Sequence, residues 1–109
     1  MKEIVEYFGK KGIVFKSLKT IKVKDLGSRK KVDIYLGVNI KEYFVMLLNI
    51  EKKSRILKKE VNELIELHLK LESFIGSKIV KKYILIKAPL CSKAKVMLEE
   101  NGWKVELPA

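Results

Sequence analysis

Cysteine and histidine each occur only once in this chain, and glutamine is absent. The single cysteine, Cys91, cannot form an internal disulfide, and together with the lone His68 it is too little to form a zinc site. No apolar run approaches the roughly 18 to 20 residues that are needed to cross a bilayer. Glu3 and Glu6 also interrupt the segment where a signal peptide would be apolar. We therefore expect a soluble, intracellular, cytoplasmic protein without a membrane partner, and not a disulfide-stabilised secreted domain.

Arginine is scarce too, although the chain is strongly basic. It has 24 lysine and arginine residues against 13 aspartate and glutamate residues, a formal net charge of +11. Such a charge attracts polyanions, so nucleic acid is the expected partner and the nucleoid the expected location. Arg29 and Arg55 are the only arginines, which favours contacts with backbone phosphates over bidentate reading of guanine bases. Alternatively, a lysine-rich surface can serve solubility or thermal stability.

The basic residues expected to contact phosphates lie mainly in the N-terminal third of the chain. They are Lys10, Lys11, Lys16, Lys19, Lys22, Lys24, Arg29, Lys30 and Lys31, together with Arg55. The alternative is that they are only the solvated face of edge strands, in which case DNA affinity would show almost no dependence on salt.

Length and apolar content predict one domain over residues 1–109. The 109 residues are 48% hydrophobic, which is enough for one modest core. Helical spacing predicts a short first helix, a long helix over Lys58–Ile75 that Gly76 ends, and a third helix that Ser92 caps. Apolar runs predict five strands, at residues 13–23 (one bent strand or a strand and an edge segment), 32–36, 43–50, 82–88 and 103–107. The strand after the long helix should return parallel to an earlier one, which gives a mixed α/β sheet.

The end of the third predicted strand carries an acid and a base close together. Successive strand residues alternate faces and rise about 3.3 Å each, so Glu51 and Lys53 should point the same way, about 6.6 Å apart. A salt bridge or a solvated strand end would explain such a pair, and so would a metal site. On the preceding strand, Asp33 alternates with the aliphatic Val32 and Ile34 and should face away from them.

These residues and the element order together resemble a known family. Val32-Asp33 on one strand and Ile50-Glu51-Lys52-Lys53-Ser54-Arg55 at the end of the next resemble the PD-(D/E)xK nuclease superfamily. The hexapeptide is most similar to that of archaeal Holliday junction resolvases and related archaeal endonuclease-like proteins, and residues 82–105 are similar to the tail of the latter. The resemblance covers nearly the whole chain. It implies a restriction-endonuclease-like mixed β-sheet flanked by helices, in the order α-β-β-β-α-β-α-β.

The resemblance also implies an activity and a site. The activity is a metal-dependent DNA endonuclease that hydrolyses phosphodiesters, with branched DNA such as Holliday junctions among its substrates and a homodimer as the working unit. Asp33, Glu51 and the backbone carbonyl of Lys52 would bind Mg²⁺ or Mn²⁺, which prefer oxygen ligands. Lys53 would orient the attacking water or offset charge on the phosphate. A further carboxylate would come from Glu3 or Glu6.

The strand register decides between an active and an inactive site. If the turn before the third strand centres near Ile40, Leu47 lies opposite Asp33, and Glu51 lies about 13 Å further along the strand. A later turn or a bulge would bring Glu51 closer. In the shorter register, Asn49 would take the position of the acid and Glu51 that of the lysine. The chain would then be a catalytically inactive, nuclease-fold DNA-binding module.

Other titratable residues are expected to be structural. His68 lies on the apolar stripe of the long helix, which favours a packed histidine over a general base. Cys91 has no visible catalytic partner. Some relatives carry a glutamine on the long helix, for which only Glu63, Glu66 or Lys70 could substitute.

Overall fold

A computed structural model describes residues 2–27 and 32–107, and of residues 2–5 it describes the backbone alone. The elements are α1 (Lys2–Lys10), β1 (Phe15–Ile21), a 3-10 helix (Val23–Leu26), β2 (Asp33–Asn39), β3 (Phe44–Glu51), α2 (Lys58–Ile75), β4 (Lys81–Lys87), α3 (Ser92–Glu100) and β5 (Trp103–Glu106). This succession confirms the predicted order of helices and strands. Among the described residues, no helix combines the length and apolar character needed to cross a membrane.

The strands form one mixed sheet in sequence order, β1-β2-β3-β4-β5. β1, β2 and β3 pair antiparallel, whereas β4 lies parallel to β3 and β5 parallel to β4. Parallel neighbours require crossover connections, and α2 and α3 provide them. The predicted parallel return of the strand after the long helix is therefore confirmed.

The larger hydrophobic core lies between the sheet and the helices α2 and α3. It contains Leu48 and Ile84 of the sheet and Leu98 of α3. The helix α2 contributes its buried stripe, which consists of Val61, Leu64, Leu67 and Leu71. Apolar residues three and four apart place one side of the helix on the sheet, as the spacing predicts.

The opposite face of the sheet is covered by α1. Phe8 is fully buried against Tyr35, Leu47 and Tyr83, and the ring centroids of Phe8 and Tyr83 are 5.2 Å apart. Leu47 and its sequence neighbour Leu48 are therefore buried on opposite faces. This explains why β3 appears in the sequence as a continuous apolar run rather than as an alternating one.

A buried carboxylate joins β5 to the C-terminal end of α1. Glu106 is 6% exposed, and its Oε2 accepts a hydrogen bond from the hydroxyl of Tyr7 at 3.3 Å and pairs with Nζ of Lys11 at 3.1 Å. Glu106 raises the pKa of Lys11. A buried carboxylate is tolerated where it is paired and hydrogen-bonded, so this contact attaches the last strand to the first helix.

The turn between β2 and β3 is held by backbone hydrogen bonds of Asn39 with Glu42 and Tyr43 and by the side chain of Asn39. Oδ1 of Asn39 accepts hydrogen bonds from the backbone N–H groups of Lys41 and Tyr43, both at 3.0 Å. Asparagine oxygens often organise turns in this way. Glu42 takes a left-handed conformation within the turn, with φ of 67°.

This turn sets the register of the two strands. Asp33 pairs with Asn49, and Tyr35 pairs with Leu47. The register in which Leu47 lies opposite Asp33, which a turn centred near Ile40 would give, does not form, because the turn centres on Lys41. The later turn that the sequence left open is the one that forms.

Two local predictions differ from the structure. Val23 begins a 3-10 helix and does not extend the first strand, because Leu26 is drawn into the larger core. Ser92 is the first residue inside α3, and Cys91 occupies the N-cap position. Both are shifts at element ends, where local signals are weakest.

His68 is packed, as the sequence predicts. Its side chain is 12% exposed, its ring lies 6.2 Å from that of Trp103, and its Nε2 is 3.1 Å from Oε2 of Glu72. Burial, and then the positive charge of Lys82, lower the pKa of His68. Since the imidazole is packed between α2 and β5 and contacts Glu72 and Trp103, it is a structural group.

The lowered pKa predicts how stability depends on pH. Protonation of His68 favours the unfolded chain, so its contribution is complete above about pH 6.5, the ordinary histidine value, and is lost as pH falls from there through the folded pKa. We expect the free energy of unfolding to fall less between pH 7.5 and 5.5 in His68→Leu than in the wild type, as measured by urea denaturation. Parallel slopes in the two proteins would contradict this assignment.

Candidate metal centre

One end of the sheet places four polar side chains on a single face. Asp33 opens β2, Asn49 and Glu51 lie at the end of β3, and Lys87 closes β4. These positions meet because β2 runs antiparallel to β3 and β4 runs parallel to it. Paired residues on neighbouring strands share a face, as do residues two apart in one strand. We call these four residues the edge cluster; they lie on the face that α1 covers, in line with the buried Leu47.

Asp33 and Asn49 are in direct contact. Nδ2 of Asn49 donates to Oδ2 of Asp33 at 3.4 Å, which is long for a hydrogen bond. Oδ1 of Asn49 is buried and accepts no hydrogen bond from the described residues. Leaving a buried carbonyl oxygen unpartnered costs about 1–3 kcal/mol. This oxygen is therefore suited to bind a further donor or a cation beside the carboxylate of Asp33.

Glu51 lies diagonally across from Asp33. The direct partner of Asp33 is Asn49, and Glu51 is two residues further along β3. Glu51 itself pairs with Lys87 of β4. Diagonal neighbours on adjacent strands lie about 7–8 Å apart, within reach of long side chains. Both carboxylates are exposed. At that separation both carboxylates can reach one ion, and the amide nitrogen of Asn49 contacts the carboxylate of Asp33.

The two lysines of the predicted motif lie outside the edge cluster. β3 ends at Glu51, so the strand geometry expected for Glu51 and Lys53 does not extend to Lys53, which is exposed in a bend. Lys52 points to the other side of the sheet, where its ammonium group pairs with Glu60 of α2. The backbone N–H of Lys52 donates to the carbonyl of Lys87 at 3.3 Å.

The donor set fits a hard divalent cation with few protein ligands. Within residues 2–27 and 32–107, no three carboxylate, thiol or imidazole side chains come together as a metal site. Glu6 is exposed on α1 and belongs to no such group, and the side chain of Glu3 lies outside the described residues. Mg²⁺ is commonly held by one or two carboxylates, with substrate phosphates and water completing its shell. Asp33, Glu51 and Oδ1 of Asn49 satisfy that requirement.

Part of the expected phosphate track leads to the end of the sheet that carries the edge cluster. Lys19, Lys22 and Lys24 are exposed along β1 and the 3-10 helix, and Lys19 shares the face of its partner Leu36, which is the face that α2 covers. Ile21 pairs with Ile34, the sequence neighbour of Asp33. The basic segment that follows Ile21 therefore passes the end of the sheet where the carboxylates lie.

The remaining basic residues have other surroundings. Lys16 pairs with Glu42 at 2.7 Å at the opposite end of the sheet, and Lys11 pairs with Glu106. Lys10 and Arg55 are exposed. Arg29, Lys30 and Lys31 lie outside the described residues.

The other titratable groups are distant from the edge cluster in the fold. Cys91 packs against the larger core, and the amides of Ala94 and Lys93 at the start of α3 lower the pKa of its thiol. Glu66 and Lys70 are on the exposed side of α2. The residue that the sequence did not identify is Lys87, which pairs with Glu51; its only signal was its place near the end of a strand predicted to run parallel to one of the three earlier strands.

Comparison with known proteins finds structures with a similar fold but no matching family. No protein-family model matches the chain, and no curated protein matches it. The fold is similar to that of EndoMS in its apo form, with a TM-score of 0.60, and to that of EndoMS in a complex with double-stranded DNA, with a TM-score of 0.57. It is also similar to that of a repair endonuclease from Pyrococcus abyssi, with a TM-score of 0.55.

These similarities extend over almost all of this chain but over less than half of each neighbour. Sequence identity is 18% in all three, and the match covers 97–98% of this chain and 41–46% of the other. Identity at this level carries information about the fold alone. The chain thus has the mixed α/β fold of nuclease-like structures, with a five-stranded sheet flanked by helices, as the resemblance implied.

Proposed function

We propose that the chain is a metal-dependent DNA endonuclease whose centre is formed by Asp33, Asn49 and Glu51. The observation that carries this proposal is that Asp33 and Glu51 share one face at the end of the sheet, beside an Asn49 amide whose nitrogen contacts Asp33 and whose buried Oδ1 has no partner among the described residues. The fold similarity to endonuclease structures, one of them a complex with double-stranded DNA, supports the same function. Mg²⁺ or Mn²⁺ is the proposed cofactor, because all three ligand groups are oxygen donors.

The residues of the edge cluster have separate tasks in such a reaction. When bound, a divalent cation lowers the pKa of an attacking water and stabilises negative charge on the phosphate. Asp33 and Glu51 would hold the cation, and the amide nitrogen of Asn49 orients the carboxylate of Asp33. Water then forms a new bond to phosphorus while the bond to the leaving oxygen breaks. The proton lost by the water passes to solvent, and the leaving oxygen gains one, so the products are a phosphate monoester and a hydroxyl.

The test is direct cleavage of DNA. Plasmid, linear duplex and four-way junction DNA are incubated with the purified chain in Mg²⁺, in Mn²⁺ and in EDTA. The proposal requires strand breaks with either metal and none in EDTA. Bound DNA that stays intact in both metals would refute the endonuclease function.

Branched DNA and a homodimer belong to the same proposal. Cutting a four-way junction symmetrically requires two centres, which a two-fold dimer presents. We expect paired nicks in opposite arms of the junction and a dimer mass in solution at micromolar concentration. A monomer that nicks only linear duplex would remove the junction substrate from the proposal while leaving the chemistry in place.

Binding to DNA should depend on the basic segment beside the edge cluster. In a triple variant with Lys19, Lys22 and Lys24 changed to glutamine, we expect weaker binding and a smaller slope of log affinity against log salt, by about 0.9 for each phosphate that the variant no longer neutralises. The matched control changes Lys41, Lys78 and Lys81, three exposed lysines at the other end of the sheet. Equally weakened binding in the two triple variants, measured by fluorescence anisotropy, would show that net charge alone attracts DNA.

A second function is favoured by one specific observation. The residue directly paired with Asp33 is the neutral Asn49, where the nuclease motif resembled by this chain has an acid. A chain with too weak a metal centre would be a nuclease-fold module that binds DNA without cutting it. Binding with the salt dependence described above, together with the absence of cleavage in Mn²⁺, would identify that module.

A further inference from the structure

Lys87 lies where an ammonium group can reach the proposed centre. It is the last residue of β4, is half-buried, and pairs with Glu51 on the neighbouring strand. Adjacent strands are about 4.8 Å apart, and paired residues point to the same face. Its carbonyl also accepts a hydrogen bond from the N–H of Lys52 at 3.3 Å, so the end of β4 is held against the end of β3.

We infer that Lys87, and not Lys53, is the catalytic lysine of this chain, and that its ammonium contacts the phosphate under attack. The inference rests on the proposed endonuclease function. Negative charge develops on the phosphate during hydrolysis, and a cation held in advance stabilises it. A side chain carried by a paired strand is placed more precisely than one in a bend. Lys87 meets this condition, whereas Lys53 follows the end of its strand and is exposed.

The position of Lys87 should affect metal binding even without DNA. A positive charge beside Glu51 repels a divalent cation that binds the carboxylate of that residue. At about 7 Å and an effective dielectric near that of water, the repulsion corresponds to several-fold in affinity. Replacing Lys87 with methionine keeps the length of the side chain and removes the charge. We expect Lys87→Met to bind Mn²⁺ about 3- to 10-fold more tightly than the wild type.

The experiment compares Lys87→Met with Lys53→Met as a matched control. Mn²⁺ affinity is measured by calorimetry on the DNA-free proteins, and cleavage of duplex DNA is measured in steady state. Lys87→Met should lower kcat by about 100-fold or more with a smaller change in KM, and Lys87→Arg should recover part of kcat. Lys53→Met should match the wild type in Mn²⁺ affinity and in kcat. Circular dichroism confirms folding, and Lys87→Gln replaces the methionine variant if that one does not fold.

The outcomes separate this inference from the function on which it rests. A wild-type chain that cuts no DNA overturns the endonuclease function, and the catalytic role of Lys87 with it. If the wild type cuts DNA but no faster than Lys87→Met, the role of Lys87 is overturned while the endonuclease function stands. A lowered kcat in Lys53→Met, or unchanged Mn²⁺ affinity in Lys87→Met, would also overturn it.

Discussion

Replacing Asp33 with asparagine should lower the rate of metal-dependent DNA cleavage by at least about 100-fold. Loss of a group that merely supports a metal ligand typically costs about 10- to 100-fold, so loss of a ligand itself should cost more. The substitution keeps the shape of the side chain and its contact with Asn49, while it removes one of the two negative charges proposed to hold the ion. Affinity for DNA in EDTA should remain within about two-fold, because one carboxylate contributes little to a field made by a net charge of +11.

The chain supplies a matched control for this variant. Asp25 is the other aspartate in the sequence, and it is exposed in the 3-10 helix. Asp25→Asn makes the same chemical change outside the edge cluster, in the 3-10 helix whose Leu26 packs into the core on the other face of the sheet, and should leave both cleavage and Mn²⁺ affinity unchanged. Equal effects of the two substitutions would mean that Asp33 has no particular role at the centre.

The second large effect is expected when the acid at the end of β3 is moved from position 51 to position 49 and a lysine is placed at position 51. Glu51→Lys alone should abolish cleavage, with a loss of at least about 100-fold, because it places a cation where a ligand is needed. Adding Asn49→Glu puts a carboxylate directly opposite Asp33, where paired Cα atoms are about 5 Å apart. The double variant should recover activity to within about ten-fold of the wild type. Such a recovery would mean that the effects of the two substitutions are not additive, which is expected of interacting positions and not of independent ones.

This exchange also separates the two candidate functions. Cleavage by the wild type, its absence in Glu51→Lys and its recovery in the double variant together support the active centre. Cleavage that appears only in the double variant would identify a DNA-binding module whose centre lacks its acid. If the double variant folds but is as inactive as Glu51→Lys, that result would contradict the pairing of position 49 with Asp33, on which this comparison of the two functions depends.

The fold could be predicted in outline because its signals are local and repeated. The buried stripe of α2 follows helical spacing, and Gly76 ends that helix in a left-handed conformation with φ of 68°. Two-sided burial makes β3 a continuous apolar run. Element ends were less predictable, because they depend on distant contacts: burial of Leu26 in the larger core replaces the end of the predicted first strand with a 3-10 helix.

The site could be predicted only in part, because it depends on register. Asp33 and Glu51 are on the same face, as the resemblance requires. A single turn decides which residue lies opposite Asp33, and that turn combines backbone hydrogen bonds with two hydrogen bonds to the side chain of Asn39. No periodic pattern specifies such a turn. Lys87 joins the edge cluster only through the parallel pairing of β4 with β3 across the connecting helix α2, so its pairing with Glu51 has no signal in adjacent sequence.

The most direct test of the centre is a crystal structure grown or soaked with Mn²⁺, with data collected for anomalous scattering. We predict one strong peak at the open end of the sheet, about 2.0–2.3 Å from oxygen atoms of both Asp33 and Glu51. This peak should be absent in Asp33→Asn and present in Asp25→Asn. A wild-type structure with no anomalous peak between these two carboxylates, or with peaks only elsewhere, would contradict the proposed centre.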